Sequence, residues 1–352
     1  MAIAINLLIV RLLCKEDVAT YLQAFLTYTA ILPFLKLGVD QGIYFFVPDD
    51  KQNASERVGE AFVILLFMSS LFVAFIALGG NLVLASRFSN PALAPLLLWL
   101  IPHAFASIPS LIAESVFVAI GREWTASVFA VVRQLLMVFG TGVSLVLVRT
   151  VDAAIIGHVV AGAIAGLIAV FLMLKLLPEK RGLPSLYGTK QFLLLVLPIG
   201  VGGLFDRLSA QLDKLLVGFL CTPTQFATFS MGAMELPVVG ILTGSIMSVI
   251  LVDMRKEIGA GNLKEAVELF RKAARSSAKF MFPITAFCLI NSREIVDVAL
   301  TSAYADSVVP FRWYLLILPS RIVVFASFLV ALGLARYLLA RAVIGLILNL
   351  ML

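Results

Sequence analysis

The sequence predicts an all-α membrane protein that crosses the bilayer many times. Of its 352 residues, 61% are hydrophobic and only 14% are charged, and the mean hydropathy is +1.04. Soluble domains contain about 45–50% apolar and about 25% charged residues. Because long apolar segments follow one another along nearly the whole chain, lipid is the expected solvent for most of it.

Ten segments are long and apolar enough for a membrane-spanning helix, which needs about 20 mostly apolar residues. They cover residues 21–47, 60–85, 92–120, 124–148, 152–177, 191–220, 225–252, 277–300, 308–333 and 334–352. The segment 1–13, "MAIAINLLIVRLL", is too short to cross and lacks the charged start and cleavage site of a signal peptide. We interpret it as part of a first helix. Since "GLILNLML" at the other end also stops on apolar residues, we expect a chain truncated at both ends, with about eleven helices.

The basic residues predict the orientation, because loops on the cytoplasmic side are enriched in Lys and Arg. If the first helix enters from the cytoplasm, the inner loops hold sixteen of the 27 basic residues and the outer connections hold six. The net charge of +6 is therefore a sign of topology, and nucleic acid is not an expected partner. A multi-pass protein of the inner (plasma) membrane with a cytoplasmic N-terminus is expected.

Two short segments resemble each other at an offset of about 207 residues. Residues 12–21, "LLCKEDVATY", match 219–229, "FLCTPTQFATF", with one insertion. A polar linker, "LPEKRGLPSLYGTK", lies between the halves of the chain. We therefore predict an N-terminal lobe (1–177), a cytoplasmic linker (178–190) and an incomplete C-terminal lobe (191–352), each lobe derived from six helices. Repeated halves are common among transporters, which bind ligands where the halves meet.

The segment "GVGGLFDRLSAQLDKLLVGFL", residues 200–220, places four charges in an otherwise apolar helix. At about 100° per residue, the charges and two small residues share one side, and leucines compatible with lipid gather on the other. We call the first side the polar face; its members are Gly203, Asp206, Arg207, Ala210, Asp213 and Lys214. No opposite charges in this segment have the spacing of three or four residues that an ion pair within a helix requires.

Partners for these charges must come from other helices, from water or from a ligand. Other apolar segments carry charged residues that are candidates: Asp40, Glu114, Arg133, Glu235 and Arg321. One interpretation is a set of interhelical ion pairs that orients the bundle. The other is a cavity, because ionisable groups inside membranes generally line a pathway. The four cations then favour an anionic ligand such as phosphate, which arginine binds in a bidentate manner.

Metal and enzyme chemistry have little support in the sequence. The three cysteines (Cys14, Cys221 and Cys288) lie far apart, and His103 and His158 sit alone in apolar segments. Metal sites and disulfide frameworks need closely spaced ligands or paired cysteines. No nucleophile–base set or phosphate-binding glycine loop is visible. We therefore expect no enzyme, no metal and no cofactor, with coupling to H⁺ or Na⁺ left open.

The longest inner loop contains the segment 261–275, "GNLKEAVELFRKAAR". Its apolar residues recur at helical spacing with charged residues on another side. The segment predicts a separate amphipathic helix at the inner membrane surface.

Three segments resemble the polysaccharide-biosynthesis flippases, which are grouped with multidrug and toxin extruders and lipid II flippases. The most specific is 197–237, whose "Asp-Lys-x-x-x-Gly" at 213–218 is followed by a short turn and "Ala-Thr-Phe". The segment 300–319, "LTSAYADSVVPFRWYLLILP", resembles the outer loop before the tenth helix of these proteins. The segment 13–48, "LCKEDVATYLQAF…LKLGVDQGIYFFVP", is similar to the corresponding element of the first half.

The resemblance implies two six-helix lobes around a central cavity and alternating access that moves a lipid-linked sugar across the inner membrane. Cationic residues would contact the pyrophosphate, and acidic residues would hold them or bind a coupling ion. By position, the cations are Arg207, Lys214, Arg133 and Arg321, and the acidic residues are Asp206, Asp213, Glu235, Glu114 and Asp40. Expected partners are a lipid-linked oligosaccharide, membrane lipids and the polysaccharide polymerase machinery.

Other functions remain open at this point. A multidrug or cation antiporter would favour an acidic, aromatic cavity, whereas four of the candidate cavity residues here are cations. A lipid II flippase fits the sequence nearly as well. A membrane glycosyltransferase would need metal-binding acids and large outer loops, but the only loop carboxylate pair is Asp49–Asp50 on the inner side.

Overall fold

The structure, a computed structural model, describes residues 2–49, 53–177, 184–234, 236–322 and 336–351, together with 328 and 332. Within some helices only the backbone is described, and Asp206 is one of these positions. All regular elements in these ranges are helices, and the described residues form no strand. The prediction of an all-α fold is thus confirmed.

The chain divides into two compact units, one ending at Phe226 and the other beginning at Ala227. The helices of the first unit are α1 (Ala2–Leu12), α2 (Lys15–Lys36), α3 (Val39–Asp49), α4 (Ala54–Phe75), α5 (Asn81–Arg87), α6 (Leu93–Leu98), α7 (Leu100–Ser107), α8 (Ala113–Ala119), α9 (Glu123–Val148), α10 (Val151–Leu176) and α11 (Leu186–Leu220). Helix α12 (Pro223–Gly232) crosses the division.

The second unit contains the remaining helices. They are α13 (Pro237–Gly259), α14 (Leu263–Ile290), α15 (Ser292–Ala299), α16 (Val308–Ile317) and α17 (Arg336–Met351). Helices α13 and α14 pack against each other around Met254 and Ala273, which are fully buried. The predicted lobe boundary in the linker 178–190 stays a prediction.

Among the described residues, five helical stretches, all in the first unit, are long and apolar enough to cross a membrane. They are Lys15–Pro48, Ala54–Arg87, Leu93–Ala119, Glu123–Val148 and Val151–Leu176, and they match the first five predicted segments. Three of them are interrupted. Leu37 (φ 46°) and Gly38 (φ 73°) separate α2 from α3, a π turn with Gly79 at φ 103° separates α4 from α5, and a 3₁₀ turn from Pro109 to Ile112 precedes α8.

Helices α9 and α10 form a tight pair joined by two residues. Arg149 adopts a left-handed conformation (φ 54°), and the hydroxyl of Thr150 caps α10 by accepting from the Ala153 amide at 3.3 Å. Glycines lie where the helices meet, since a Cβ on Gly140 would approach the carbonyl oxygen of Gly157 to 2.7 Å. Small residues allow such close backbone packing in membranes.

The predicted surface helix at 261–275 is wrong as a separate element. Gly261 has φ 81°, and α14 starts after it, as the sequence indicated, at Leu263. The helix then continues through Pro283 to Ile290 without a break at residue 275. A change from charged to apolar side chains leaves the backbone hydrogen bonds intact, so it does not end a helix.

Candidate substrate-binding site

The polar face of α11 is the part of the predicted site that the structure describes best. Gly203, Arg207 and Ala210 are exposed, and Lys214 is half-buried. These four residues fall within about 60° of one another around the helix axis. The leucines on the other side (Leu204, Leu208, Leu212 and Leu215) are all half-buried, so they take part in packing.

Helix α11 is fixed in the first unit at two places. Its N-cap residue Ser185 accepts from the Gly188 amide within the helix at 3.0 Å and donates from Oγ to Oε1 of Glu60 on α4 at 3.2 Å. Farther along, a Cβ on Gly38 would lie 2.8 Å from the Gly200 nitrogen, so the junction of α2 and α3 touches the α11 backbone. These contacts position the polar face that begins at Gly203.

Neither cation of the polar face is neutralised by a described residue. Arg207 and Lys214 make no ion pair with any residue whose side chain the structure describes. Asp213 is half-buried, and its Oδ1 atom is buried without a hydrogen-bond partner in the described part of the chain. The side chain of Asp206 lies outside the described residues.

Two of the predicted site residues pair with each other. Arg133 on α9 donates from Nη2 to Oε1 of Glu114 on α8 over 2.6 Å, and about a third of each side chain is exposed. The Nε atom of Arg133 is buried without a described acceptor. The structure thus brings two helices together here, and Glu114 neutralises the cation predicted to bind phosphate.

Asp40 has a partner on the neighbouring helix. Lys36, in the last turn of α2, forms a short ion pair with Oδ2 of Asp40 in the first turn of α3. The other carboxylate oxygen, Oδ1, is buried without a described hydrogen-bond partner. This ion pair spans the break at Leu37 and Gly38, so part of its role is structural.

Arg321 lies in the second unit, and Glu235 lies outside the described residues. Arg321 is exposed in a 3₁₀ turn, Leu318–Ile322, and lines a cavity of about 20 Å³ together with Met234 and Tyr314. Such a volume holds about one water molecule. This cavity is therefore too small for a pyrophosphate group.

A contact between two histidines in the first unit, one buried and one half-buried, was not predicted. His103 on α7 and His158 on α10 have ring centroids 5.3 Å apart. Ser107 Oγ lies 3.2 Å from Nδ1 of His103, and Thr141 Oγ1 lies 3.3 Å from Nδ1 of His158. The spacing of His103 and Ser107, four residues apart, was the sequence signal, but the contact between the two histidines depends on tertiary packing.

A fully buried glutamate was also missed. Glu60 in α4 accepts from Arg57 Nη1 at 2.9 Å and from Ser185 Oγ at 3.2 Å. A Cβ on Gly188 would overlap the Glu60 carboxylate. The carboxylate therefore lies at the N-terminus of α11, where the helix dipole favours a negative charge.

The described residues contain no group of three or more His, Cys, Asp or Glu side chains placed to hold a metal ion. What this part of the chain offers a ligand is a pair of cations on the exposed side of a long helix. That arrangement suits an anionic ligand.

Comparison with solved structures gives the fold. The structure superposes on a multidrug resistance MATE family transporter of the MOP superfamily in an inward-facing conformation with a TM-score of 0.79, at 13% identity, covering 99% of this chain and 84% of that one. For a MOP superfamily transporter from Pyrococcus furiosus the TM-score is 0.68, at 13% identity, with 96% and 80% covered. For an outward-facing MATE transporter it is 0.61, at 14% identity, with 97% and 82% covered.

Comparison with sequence families identifies the family. No curated protein matches the chain. The family described as "Polysaccharide biosynthesis protein" matches residues 8–309, which is most of the sequence. With five helices in the described part of the chain that can cross a bilayer, a fold similar to those transporters and this match, the chain is a multi-pass membrane protein that belongs to the polysaccharide biosynthesis protein family.

Proposed function

We propose that this protein is a flippase that carries a lipid-linked oligosaccharide across the inner membrane for the export of a cell-surface polysaccharide. The substrate class is a sugar joined to a polyprenyl pyrophosphate, and the mechanism is alternating access. The observation that carries the proposal is Arg207, an exposed cation on α11 without a described ion-pair partner. The family match and the transporter fold support the same reading.

The energetic argument starts from the cost of placing a charge at membrane depth. A charged side chain facing lipid in the middle of a helix costs about 2.5–3.5 kcal/mol on insertion scales, so such residues generally face water-filled cavities. Since Arg207 and Lys214 share one side of α11, a ligand bound there meets two positive charges. A pyrophosphate supplies the complementary negative charge, and the guanidinium can bind two of its oxygens at once.

The predicted site residues divide into two roles under this proposal. Arg207 and Lys214 contact the pyrophosphate directly, and the predicted role of Arg321 stays a prediction. Arg133 can contribute only where Glu114 releases it, because the two side chains are paired at 2.6 Å. The carboxylates Asp206, Asp213, Glu235 and Asp40 are the candidates for binding H⁺ or Na⁺.

The orientation follows from the basic loops. With sixteen Lys and Arg residues on one side and six on the other, the N-terminus is cytoplasmic and the linker 178–190 faces the cytoplasm. A lipid-linked sugar made at the cytoplasmic surface would then leave on the opposite side. The polymerase machinery that consumes it is the expected partner there.

A multidrug or cation antiporter is the second candidate, and the fold match to a multidrug resistance transporter favours it. The Pyrococcus furiosus neighbour is described by a reverse polarity of its binding pocket that suggests a different function. Since Arg207 and Lys214 would repel a cationic ligand bound beside them, a cationic drug is the poorer match for this chain. A lipid II flippase carries the same pyrophosphate and requires a separate test.

The experiment is complementation of a bacterial strain whose own polysaccharide flippase is deleted. We expect the unaltered chain to restore surface polysaccharide and the Arg207→Ala variant to lower it at least tenfold, with equal amounts of both proteins in the membrane. Arg293→Ala is the matched control, because Arg293 is an exposed arginine on α15 outside the polar face. Its variant should export normally.

Two results would contradict the proposal. Normal export by Arg207→Ala would remove the role of the polar face. Failure of the unaltered, membrane-inserted chain, combined with resistance to cationic drugs in the same cells, would instead support the antiporter. Rescue of a strain that lacks its lipid II flippase would identify that substrate.

A further inference from the structure

The first part of α14 carries a band of positive charge on one side. Five basic residues lie within about 100° of one another around the helix axis and extend over about 22 Å of its length. All five are exposed. We call this surface the cationic face, and its members are Lys264, Arg271, Lys272, Arg275 and Lys279.

One carboxylate lies among these cations. Glu268 is 3.5 Å from Arg271 and 3.3 Å from Arg275. Lys264, Lys272 and Lys279 form no ion pair with a residue that the structure describes. Five cations and one carboxylate leave a net charge of +4 on this surface. These charges are available for an anionic partner.

The same side of α14 becomes apolar immediately beyond Lys279. Phe282, Ala286 and Ile290 continue the line of the cationic face at helical spacing. They are exposed, with Phe282 at 58% and Ile290 at 78%. The change from lysine to phenylalanine takes three residues, or about 4.5 Å along the axis.

The opposite side of α14 is packed in the second unit. Ala266, Ala273 and Ser277 are buried there, and Ala273 shares a core with Met254 of α13. The cationic face and its apolar continuation therefore point away from α13. A helix side that is apolar and exposed in a membrane protein contacts lipid tails, so the cations next to it reach the head-group layer.

We propose that the cationic face of α14 binds anionic phospholipid head groups of the cytoplasmic leaflet. Clusters of four to eight basic residues beside a membrane helix attract anionic lipids, with about 1 kcal/mol for each residue near the surface. Counted along the axis from Lys279, the last cation before the apolar segment, Arg275 lies about 6 Å away and Lys272 about 11 Å away. Lys264 lies about 22 Å away, so the other three are the ones nearest the apolar segment.

This inference is independent of what the protein transports. It requires only that α14 meets the membrane where its exposed side changes from cationic to apolar. An acidic cytoplasmic protein would also complement the charge. The apolar continuation through Phe282 and Ile290 favours lipid, because binding of a soluble acidic partner would not explain an exposed apolar surface beside the cations.

The test uses the purified full-length chain in detergent with equal amounts of phosphatidylglycerol and phosphatidylcholine of identical acyl chains. Native mass spectrometry counts the retained molecules of each lipid. The unaltered protein should retain more phosphatidylglycerol than phosphatidylcholine. In the triple variant Lys272→Gln, Arg275→Gln, Lys279→Gln, this preference should fall at least about fivefold, the factor that corresponds to one surface cation.

The matched control removes three exposed arginines from predicted outer connections, by Arg87→Gln, Arg149→Gln and Arg293→Gln. It loses the same charge and should keep the lipid preference. Equal losses in both triple variants would overturn the proposal, because net charge alone would then explain the binding. The proposal would also be overturned if the unaltered protein retained the two lipids equally. This outcome includes the case in which the cationic face binds an acidic protein instead of lipid. Equal unfolding temperatures of all three proteins show that lost binding does not reflect misfolding.

Discussion

Gly38 and Gly200 bring two backbones into direct contact in the first unit. A Cβ on Gly38 would lie 2.8 Å from the Gly200 nitrogen, and a Cβ on Gly200 would overlap the Leu37 carbonyl group. Gly38 also has φ 73°, a conformation that favours glycine. This contact holds α11 against the break between α2 and α3, at the start of the polar face.

Substitution at Gly200 should therefore destabilise the protein. We expect Gly200→Ala to lower the free energy of unfolding by about 1–3 kcal/mol, the usual cost of overpacking. The expected measurement is the unfolding temperature in detergent, which should fall by several degrees. The cause is the overlap with the backbone at Leu37, which cannot rotate away as a side chain could.

Gly203→Ala is the matched control for this prediction. It lies on the same helix, and nothing approaches a Cβ there within 4 Å. Since alanine favours a helix over glycine by about 1 kcal/mol, this variant should unfold at the same temperature or higher. An equal loss of stability in both variants would mean that α11 tolerates no change, and the contact with Leu37 would lose its special role.

The sequence predicted some of these features because they are local. The grouping of Gly203, Arg207 and Ala210 on one side of α11 follows from helical periodicity alone. The ion pair between Arg133 and Glu114 joins residues nineteen positions apart, so it depends on how α8 and α9 pack. No periodicity along a single helix contains that information.

The helix breaks show the same limit. The segment 21–47 was predicted as one span, yet Leu37 interrupts it with φ 46°, a conformation unusual for leucine. The contact with Gly200 supplies the reason, and it lies more than 160 residues away in the sequence. Conversely, the start of α14 could be predicted, since Gly261 with φ 81° is a local signal.

The ion pair between Arg133 and Glu114 predicts how the free energies of unfolding of the single and double variants differ. Arg133→Met leaves a half-buried carboxylate without its partner, and Glu114→Met leaves the guanidinium. Each single variant should lose roughly 1–2 kcal/mol, less than a fully buried pair because a third of each side chain is exposed. The double variant should be more stable than either single one, which a double-mutant cycle of unfolding temperatures measures.

An exposed pair provides the comparison. Lys256 and Asp253 lie 3.6 Å apart with most of both side chains in solvent, so the same cycle there should give a coupling near zero. If the cycle at Arg133 and Glu114 also gives no coupling, the pair contributes nothing to folding. Lost polysaccharide export in a stable double variant would then assign both residues to transport.

The buried carboxylate of Glu60 predicts that substitutions at Glu60 and Gly188 have non-additive effects on stability. A Cβ on Gly188 would overlap Oε1 of Glu60, so Gly188→Ala should lower the unfolding temperature by several degrees. In a Glu60→Ala background the overlap is absent, and adding Gly188→Ala should cost little more. The double-mutant cycle therefore measures how firmly this carboxylate is held at the start of α11.

Gly59→Ala serves as the neutral reference for this cycle. A Cβ there would make an ordinary contact of 3.5 Å with Pro184, next to the same helix start. A strictly additive result for Glu60 and Gly188 would contradict the arrangement. It would mean that the carboxylate can leave its position between Arg57 and Ser185 without cost.

The thiol of Cys14 predicts both the membrane orientation and a pH dependence. Cys14 is exposed and precedes α2 on the predicted outer side, whereas Cys288 is buried. Partial burial of the sulfur raises the pKa of the Cys14 thiol above its ordinary value of 9.0. Because a raised pKa leaves little thiolate at pH 7, alkylation should accelerate close to tenfold per pH unit from pH 7 to 9.

A membrane-impermeant maleimide applied to intact cells that carry the Cys221→Ser variant measures this rate, and Cys14→Ser should abolish it. Labelling that requires permeabilised cells would reverse the predicted orientation, and a rate that levels off below pH 8 would contradict the raised pKa.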